Sequence, residues 1–135
     1  MKALVIDGQG GRLGAMLVKK LREKSPGMDI TVIGTNSLAT SAMLKAGGAV
    51  GATGENPIIR AAAQADVIAG PIGIIAAHSI LGEVTPKMAE AVSGSRAAKI
   101  LIPMPGCNIT VAGIAALKLG EYIDLAVQEI MEVHS

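Results

Sequence analysis

Aromatic residues are almost missing from this chain. Tyr122 is the single one, and Phe and Trp are absent from the 135 residues. A core without aromatic bulk must be built from Ile, Val, Leu, Met and Ala, which suits a sheet covered by closely packed, Ala-rich helices. Cysteine is nearly absent too. Cys107 stands alone, which excludes an intramolecular disulfide framework and a Cys-based zinc site. No cluster of His, Cys, Asp or Glu has metal-ligand spacing, so no metal is expected. No sign of charge dominates: the net charge is +1 and the basic residues are scattered. That leaves no electrostatic footprint for nucleic acid. Lys19, Lys20, Arg22 and Lys24 fall together on one expected helix and read as its solvated face. Long apolar runs are also lacking. The longest uncharged stretches, Val67 to Gly82 and Ile100 to Leu117, contain proline and glycine and fall short of the ~20 residues that a membrane span needs. A strand-like run follows Met1 at once, where a signal peptide would need a charged and then an apolar region. These features are read together as a soluble cytoplasmic protein with no membrane partner.

What is present is a regular alternation. Residues 2–6, Lys-Ala-Leu-Val-Ile, form a short apolar run of the kind buried parallel strands show. From about Gly11 the period becomes helical, with Gly14, Leu17, Val18 and Leu21 on one face, until Ser25-Pro26-Gly27 stops it. Ile30 to Gly34 is a second strand. A second helix follows, capped by Asn36 or Ser37 and ended by Gly47-Gly48. Ala49 to Ala52 is a weak third strand. Asn56-Pro57 reads as a cap followed by proline at the first helical position, and opens a helix to about Ala65. Asp66 to Gly70 is a fourth strand. Thr85-Pro86 repeats the cap signal and opens a helix to about Val92. Ile100 to Pro103 is a fifth strand, and Asn108 to Ala112 would make a sixth. The last helix, Leu119 to Val133, turns Ile123, Ala126, Val127 and Ile130 to one side. Such alternation predicts one α/β domain spanning 1–135: a Rossmann-like, doubly wound parallel sheet in three α/β/α layers, order 3-2-1-4-5.

The densest motif follows the first strand. Asp7-Gly8-Gln9-Gly10-Gly11-Arg12-Leu13-Gly14 ends a strand and opens a helix, the context a phosphate-binding turn requires. Glycines allow a tight turn and close backbone approach, while the helix N-terminus offers free N–H groups and a positive dipole end. The spacing is G-x-x-G-x-x-G, with Leu13 where G-x-G-x-x-G has its third glycine. Gly8, Gln9, Gly10, Gly11, Arg12, Leu13 and Gly14 are therefore candidate cofactor-binding residues. Asp7 complicates the turn. Its carboxylate either turns away to hold amides of its own loop, the preferred reading, or bridges to phosphate through a metal. Dinucleotide folds often carry an acid after the second strand to bind ribose hydroxyls. Here Thr35, Asn36 and Ser37 stand there instead. With Arg12 across the turn they suit a 2′-phosphate, so NADP is the expected ligand, with NAD or another nucleotide as the alternative. Gly70 and Pro71 lie at the same sheet edge and join the candidate site. His78 reads as a hydrogen-bonded interior residue, Cys107 as a semi-buried thiol and Glu55 as a residue favouring a helix start. No catalytic residues can be named.

The runs Val5-Ile6-Asp7-Gly8-Gln9-Gly10-Gly11, Gly34-Thr35-Asn36, Ala39-Thr40-Ser41-Ala42-Met43, Gly51-Ala52-Thr53-Gly54-Glu55-Asn56, Gly70-Pro71-Ile72-Gly73-Ile74-Ile75 and Thr85-Pro86-Lys87-Met88-Ala89-Glu90 resemble a family of short bacterial proteins catalogued as a domain of unknown function. That resemblance spans nearly the whole chain and implies a Rossmann-like fold, with no assigned activity. The turn alone, with its Gly-Arg-Leu-Gly, is similar to the cofactor turn of dihydrodipicolinate reductases. In those enzymes it binds the pyrophosphate of NAD(P)H. The similarity covers only the first βα unit and does not extend to their catalytic and tetramerising domain.

Three functions compete at this level. The first is a nucleotide-binding or regulatory module. The second is a small NADP-dependent oxidoreductase whose active site is completed at a subunit interface. The third is a structural oligomer that has lost the ligand. The glycine turn favours the first two, and the lack of a catalytic constellation favours the first. The segment Pro71 to Val84, rich in Ile and Leu and nearly uncharged, reads as the interface of a homo-oligomer, most simply a two-fold dimer. Its alternative is a short helix that completes the monomer's core.

Overall fold

The computed structural model describes residues 1–105 and 107–134. Five parallel strands form one sheet in the order β3-β2-β1-β4-β5: β1 Lys2–Asp7, β2 Asp29–Gly34, β3 Val50–Thr53, β4 Val67–Pro71 and β5 Ala98–Ile102. The registers place Val5 between Val32 and Ala69. Both central strands are buried on both faces, which is why they read as unbroken apolar runs rather than as alternation.

Helices cover the two faces. On one, α1 (Arg12–Lys24), Met43 of α2 (Ser37–Ala46) and α5 (Leu119–His134) pack on Ala3, Val5, Ile30, Val32, Val67 and Ala69. Leu17, Val18 and Leu21 of α1 are fully buried, as the helical period predicts, and Ile123, Ala126, Val127 and Ile130 of α5 are buried too. On the other face, α3 (Glu55–Ala62) and α4 (Pro86–Ser93) pack on Leu4, Ile6, Ile33 and Ile68. Two expected caps form. Asn36 accepts from the Ala39 amide at 2.9 Å, and Thr85 Oγ1 accepts from the Met88 amide at 3.2 Å.

Several expectations are corrected. Asn56 caps nothing: α3 begins at Glu55 behind Gly54, whose φ of 105° turns the chain where a side chain would be strained. Proline therefore sits third in the helix, within the first turn, where its missing N–H is still harmless. Arg22 does not belong to a solvated face. Its guanidinium donates to the carbonyls of Gly47, Pro26 and Met28, all at 2.8 Å, and ties the end of α1 to the end of α2. Asn108 to Ala112 forms no strand. Residue Asn108 is left-handed at φ 56°, and the chain leaves the sheet at Pro103 to cross to the α1 face, where α5 docks. Val111 and Ile114 on this stretch are exposed.

Pro71 to Val84 completes the core rather than presenting an apolar face. It holds a short 3-10 turn, Ile72–Ile75, then a strap leading into α4. Ile74 and Val84 are buried in the second core cluster, with Ile75 and Ile80 packed against it. Of this segment's large apolar side chains, Leu81 alone is exposed, at 91%. His78 is exposed on the strap, so the interior reading of that residue fails. Among the described residues no helix is long and apolar enough to cross a membrane.

Candidate functional site

Parallel topology brings every strand's carboxyl end to one edge, so Gly8, Thr35, Gly70 and Pro71 gather there although they are far apart in sequence. The chain order reverses between β1 and β4. In doubly wound sheets that switch point opens the crevice in which ligands bind. Here the crevice is a cleft of about 220 Å³ lined by Asp7, Gly8, Gln9, Pro71, Gly73 and Ile80 together with Leu81, Met104, Pro105 and Cys107. A more open groove of about 600 Å³ between α1 and α5, lined by Lys20, Lys24 and Asp124, involves the later part of α1 and none of the strand ends.

The glycine turn divides its amides among three tasks. Asp7 takes two. Its Oδ1 accepts from the Gly8 amide at 2.8 Å and its Oδ2 from the Gly14 amide at 2.7 Å. The carboxylate therefore turns inward and staples the turn to α1, as the preferred reading held, and both its oxygens are engaged. The Gly11 amide donates to the Gly8 carbonyl at 2.9 Å. The Gln9 amide donates to Glu83 at 3.0 Å. The amides of Gly10, Arg12 and Leu13 have no partner among the described residues, and the last two are the first amides of α1. Gly10 is exposed, and a Cβ built on it meets nothing within 4 Å. Open space thus lies beside the Gly10 Cα, and the exposed Arg12 places a cation next to it.

Asp7 is 6% exposed. Burial pushes its carboxyl above the ordinary 3.8, the Gly14 and Gly8 amides pull it back in part, and the Glu83 charge adds to the rise. The native chain therefore holds the Asp7 proton more tightly than the unfolded chain. Its contribution to stability is full below pH 3.8 and is lost as pH rises through the higher folded value. Asp7→Asn removes this titration. The melting temperature of the wild type relative to Asp7→Asn is expected to fall as pH is raised from about 4 to 7. A difference that stays constant over that range would contradict it.

Thr35, Asn36 and Ser37 follow β2 and open α2, but two of the three are already engaged. Thr35 Oγ1 donates to Glu83 Oε1 at 2.6 Å, and Asn36 Nδ2 donates to the same oxygen at 2.9 Å and to the Gln9 carbonyl at 2.9 Å. Ser37 is exposed. Gly70 serves packing: a Cβ there would lie 2.2 Å from the Ile6 carbonyl oxygen. Pro71 lines the cleft. Cys107 is half-buried, its Sγ donating to the Met104 carbonyl at 3.1 Å.

Glu83 is the residue that sequence reasoning missed. One signal pointed to it: it is the only Asp, Glu, Lys or Arg between Asp66 and Lys87. A lone carboxylate in an apolar segment needs partners, and here it finds them on the far side of the glycine turn.

No curated protein matches the chain. Among solved structures, it is similar in fold to a dodecameric FMN-dependent UbiX-like decarboxylase from Escherichia coli O157:H7, with 16% identity and a TM-score of 0.50 over 97% of this chain and 76% of that one. The model of the family described as Domain of unknown function (DUF3842) matches residues 2–135, and the chain belongs to that family.

Proposed function

We propose that this protein binds a nucleotide at the carboxyl edge of the sheet, with a phosphate group on the amides of Gly10, Arg12 and Leu13, beside the switch-point cleft. The observation that carries this reading is the set of three unpartnered amides at and just before the start of α1, with open space beside Gly10. A helix N-terminus supplies both the donors and the favourable dipole for an anion. Gly8, Gln9 and Gly14 shape the turn rather than contact phosphate, since their own amides are engaged. The E. coli protein of similar fold is FMN-dependent, which supports a nucleotide as the ligand class. NAD and NADP would share the phosphate contacts and differ only at the ribose, beside Thr35 and Asn36. With no catalytic group in evidence, the protein is read as a cytoplasmic binding or regulatory module. Its exposed Leu81, Val111 and Ile114 support a homo-oligomer in which another subunit covers them, with a dimer the simplest form.

The test uses Gly10→Val. The new side chain meets open space in the fold but stands where the phosphate would lie. The variant should melt close to the wild type. A nucleotide that raises the wild-type stability by ~2.7 kcal/mol at a hundredfold excess over its dissociation constant should leave the variant unmoved. A thermal-shift panel of NAD, NADP, ATP, GTP and flavins reads both. An equal shift in the two proteins would remove the phosphate from this turn.

A further inference from the structure

Resting on the nucleotide reading, we propose that Glu83 selects the sugar of the ligand: it replaces the acid missing after β2 and accepts a ribose hydroxyl through Oε2.

Three donors converge on Glu83 Oε1: the Gln9 amide at 3.0 Å, Thr35 Oγ1 at 2.6 Å and Asn36 Nδ2 at 2.9 Å. They fix the carboxylate between the glycine turn and the end of β2, where a dinucleotide fold holds its adenosine ribose. Oε2 has no partner among the described residues and retains its accepting capacity. The carboxylate also lies close over Gly8, where a Cβ would come within 2.9 Å of Oε1 and 2.7 Å of Thr35 Oγ1. Glycine at position 8 thus makes room for Glu83 as well as for the turn.

The strap that delivers Glu83 is held in an unfavourable conformation. His78, Ile80 and Leu81 all lie in the left-handed region, at φ 70°, 54° and 54°. For a β-branched residue such as Ile80 this is a costly backbone, and it persists only where surroundings over-determine it. They do so here. The His78 amide donates to the Val84 carbonyl at 2.7 Å, the Val84 amide to the Ser79 carbonyl at 3.2 Å, and Ser79 Oγ to the Gly73 carbonyl. The acceptor is therefore set in place before any ligand arrives, which removes an ordering cost from binding.

Its charge follows from the same contacts. Burial pushes the Glu83 carboxyl up, but the hydrogen bonds from Thr35, Gln9 and Asn36 outweigh this and hold it below the ordinary 4.5. At neutral pH it is ionised. An ionised carboxylate accepts from a ribose hydroxyl and repels a phosphate attached at the same place, so discrimination comes from the repulsive element as much as from the attractive one. The 2′-phosphate expected at Thr35 and Asn36 loses its donors to Glu83 and meets a like charge. The ligand chemistry that fits is a nucleotide with unphosphorylated ribose hydroxyls, NAD rather than NADP.

Calorimetric affinities of NAD and NADP for the wild type and for Glu83→Gln test the assignment. The glutamine keeps a carbonyl oxygen for the three donors and removes the charge. The wild type should bind NAD about tenfold or more tighter than NADP, and Glu83→Gln should bring the two within about threefold, chiefly by binding NADP more tightly. A structural role alone would weaken both ligands equally and leave their ratio unchanged. That result, or equal affinities in the wild type, overturns the assignment while the nucleotide reading stands. Binding that appears only in Glu83→Gln makes Glu83 an obstacle and overturns it as well. Failure of both ligands to bind either protein overturns the assignment together with the nucleotide reading.

Discussion

Gly11→Val is expected to lower the melting temperature by on the order of 10 °C or more, before any ligand is considered. Gly11 caps α1 at φ 73°, and a Cβ built on it lies 2.7 Å from the Ala39 Cα and 2.8 Å from the Ala39 carbonyl oxygen. Both atoms belong to the backbone of α2 and cannot swing aside. The left-handed backbone costs an L-residue about 1–2 kcal/mol, and overpacking adds about 1–3 kcal/mol. A small domain shifts its Tm by about 2–8 °C per kcal/mol. Calorimetry of the unliganded variant measures the fall, and an unchanged Tm would contradict it. Loss of nucleotide binding in Gly11→Val would therefore say nothing about phosphate contact. Gly10→Val, which touches no neighbour, carries that question alone.

The contrast between two adjacent glycines also marks how far a sequence can be read. The alternation of apolar runs and helical periods is local, and from it the five parallel strands, their order and both packed helical faces follow. Thr85-Pro86 and Asn36 act within a few residues of themselves, and both caps form where the pattern places them. Asn56-Pro57 carries the same local signal and misleads, because Gly54 turns the chain two residues earlier. The glycine turn is legible as a motif, but the assignment of its amides is not. That depends on Asp7 folding inward and on Glu83 reaching Gln9 across 74 residues of sequence. Arg22 looks like one more lysine-like charge on a helix until the end of α2 comes within reach of it. The path of residues 107–118 is set by where α5 docks, a long-range choice with no periodic trace. In each case what the pattern lacks is a contact between residues distant along the chain.

Two substitutions in the segment after β4 should part company completely. Ile74→Asp is expected to unfold the chain, and Leu81→Asp is expected to leave it folded. Ile74 is 1% exposed and packed within the second core cluster with Ile6, Ile68 and Val84. Truncating a buried isoleucine costs about 2–5 kcal/mol, and an unpaired carboxylate in its place adds a desolvation penalty of several more. A domain stable by only about 5–15 kcal/mol does not tolerate both losses with a margin left. Leu81 lies on the same strap and shares no such packing. It points outward at the rim of the cleft, 91% exposed. An aspartate there stays in water and should leave the far-UV spectrum and the Tm as they were. If a second subunit covers that side chain, the charged variant becomes a smaller species by light scattering while remaining folded. A Leu81→Asp protein of unchanged size would move the interface away from the strap. A wild type that scatters as a clean monomer of 13.6 kDa at every concentration would end the oligomer altogether. A folded Ile74→Asp, with cooperative melting near the wild-type temperature, would contradict the burial of this segment in the monomer's own core.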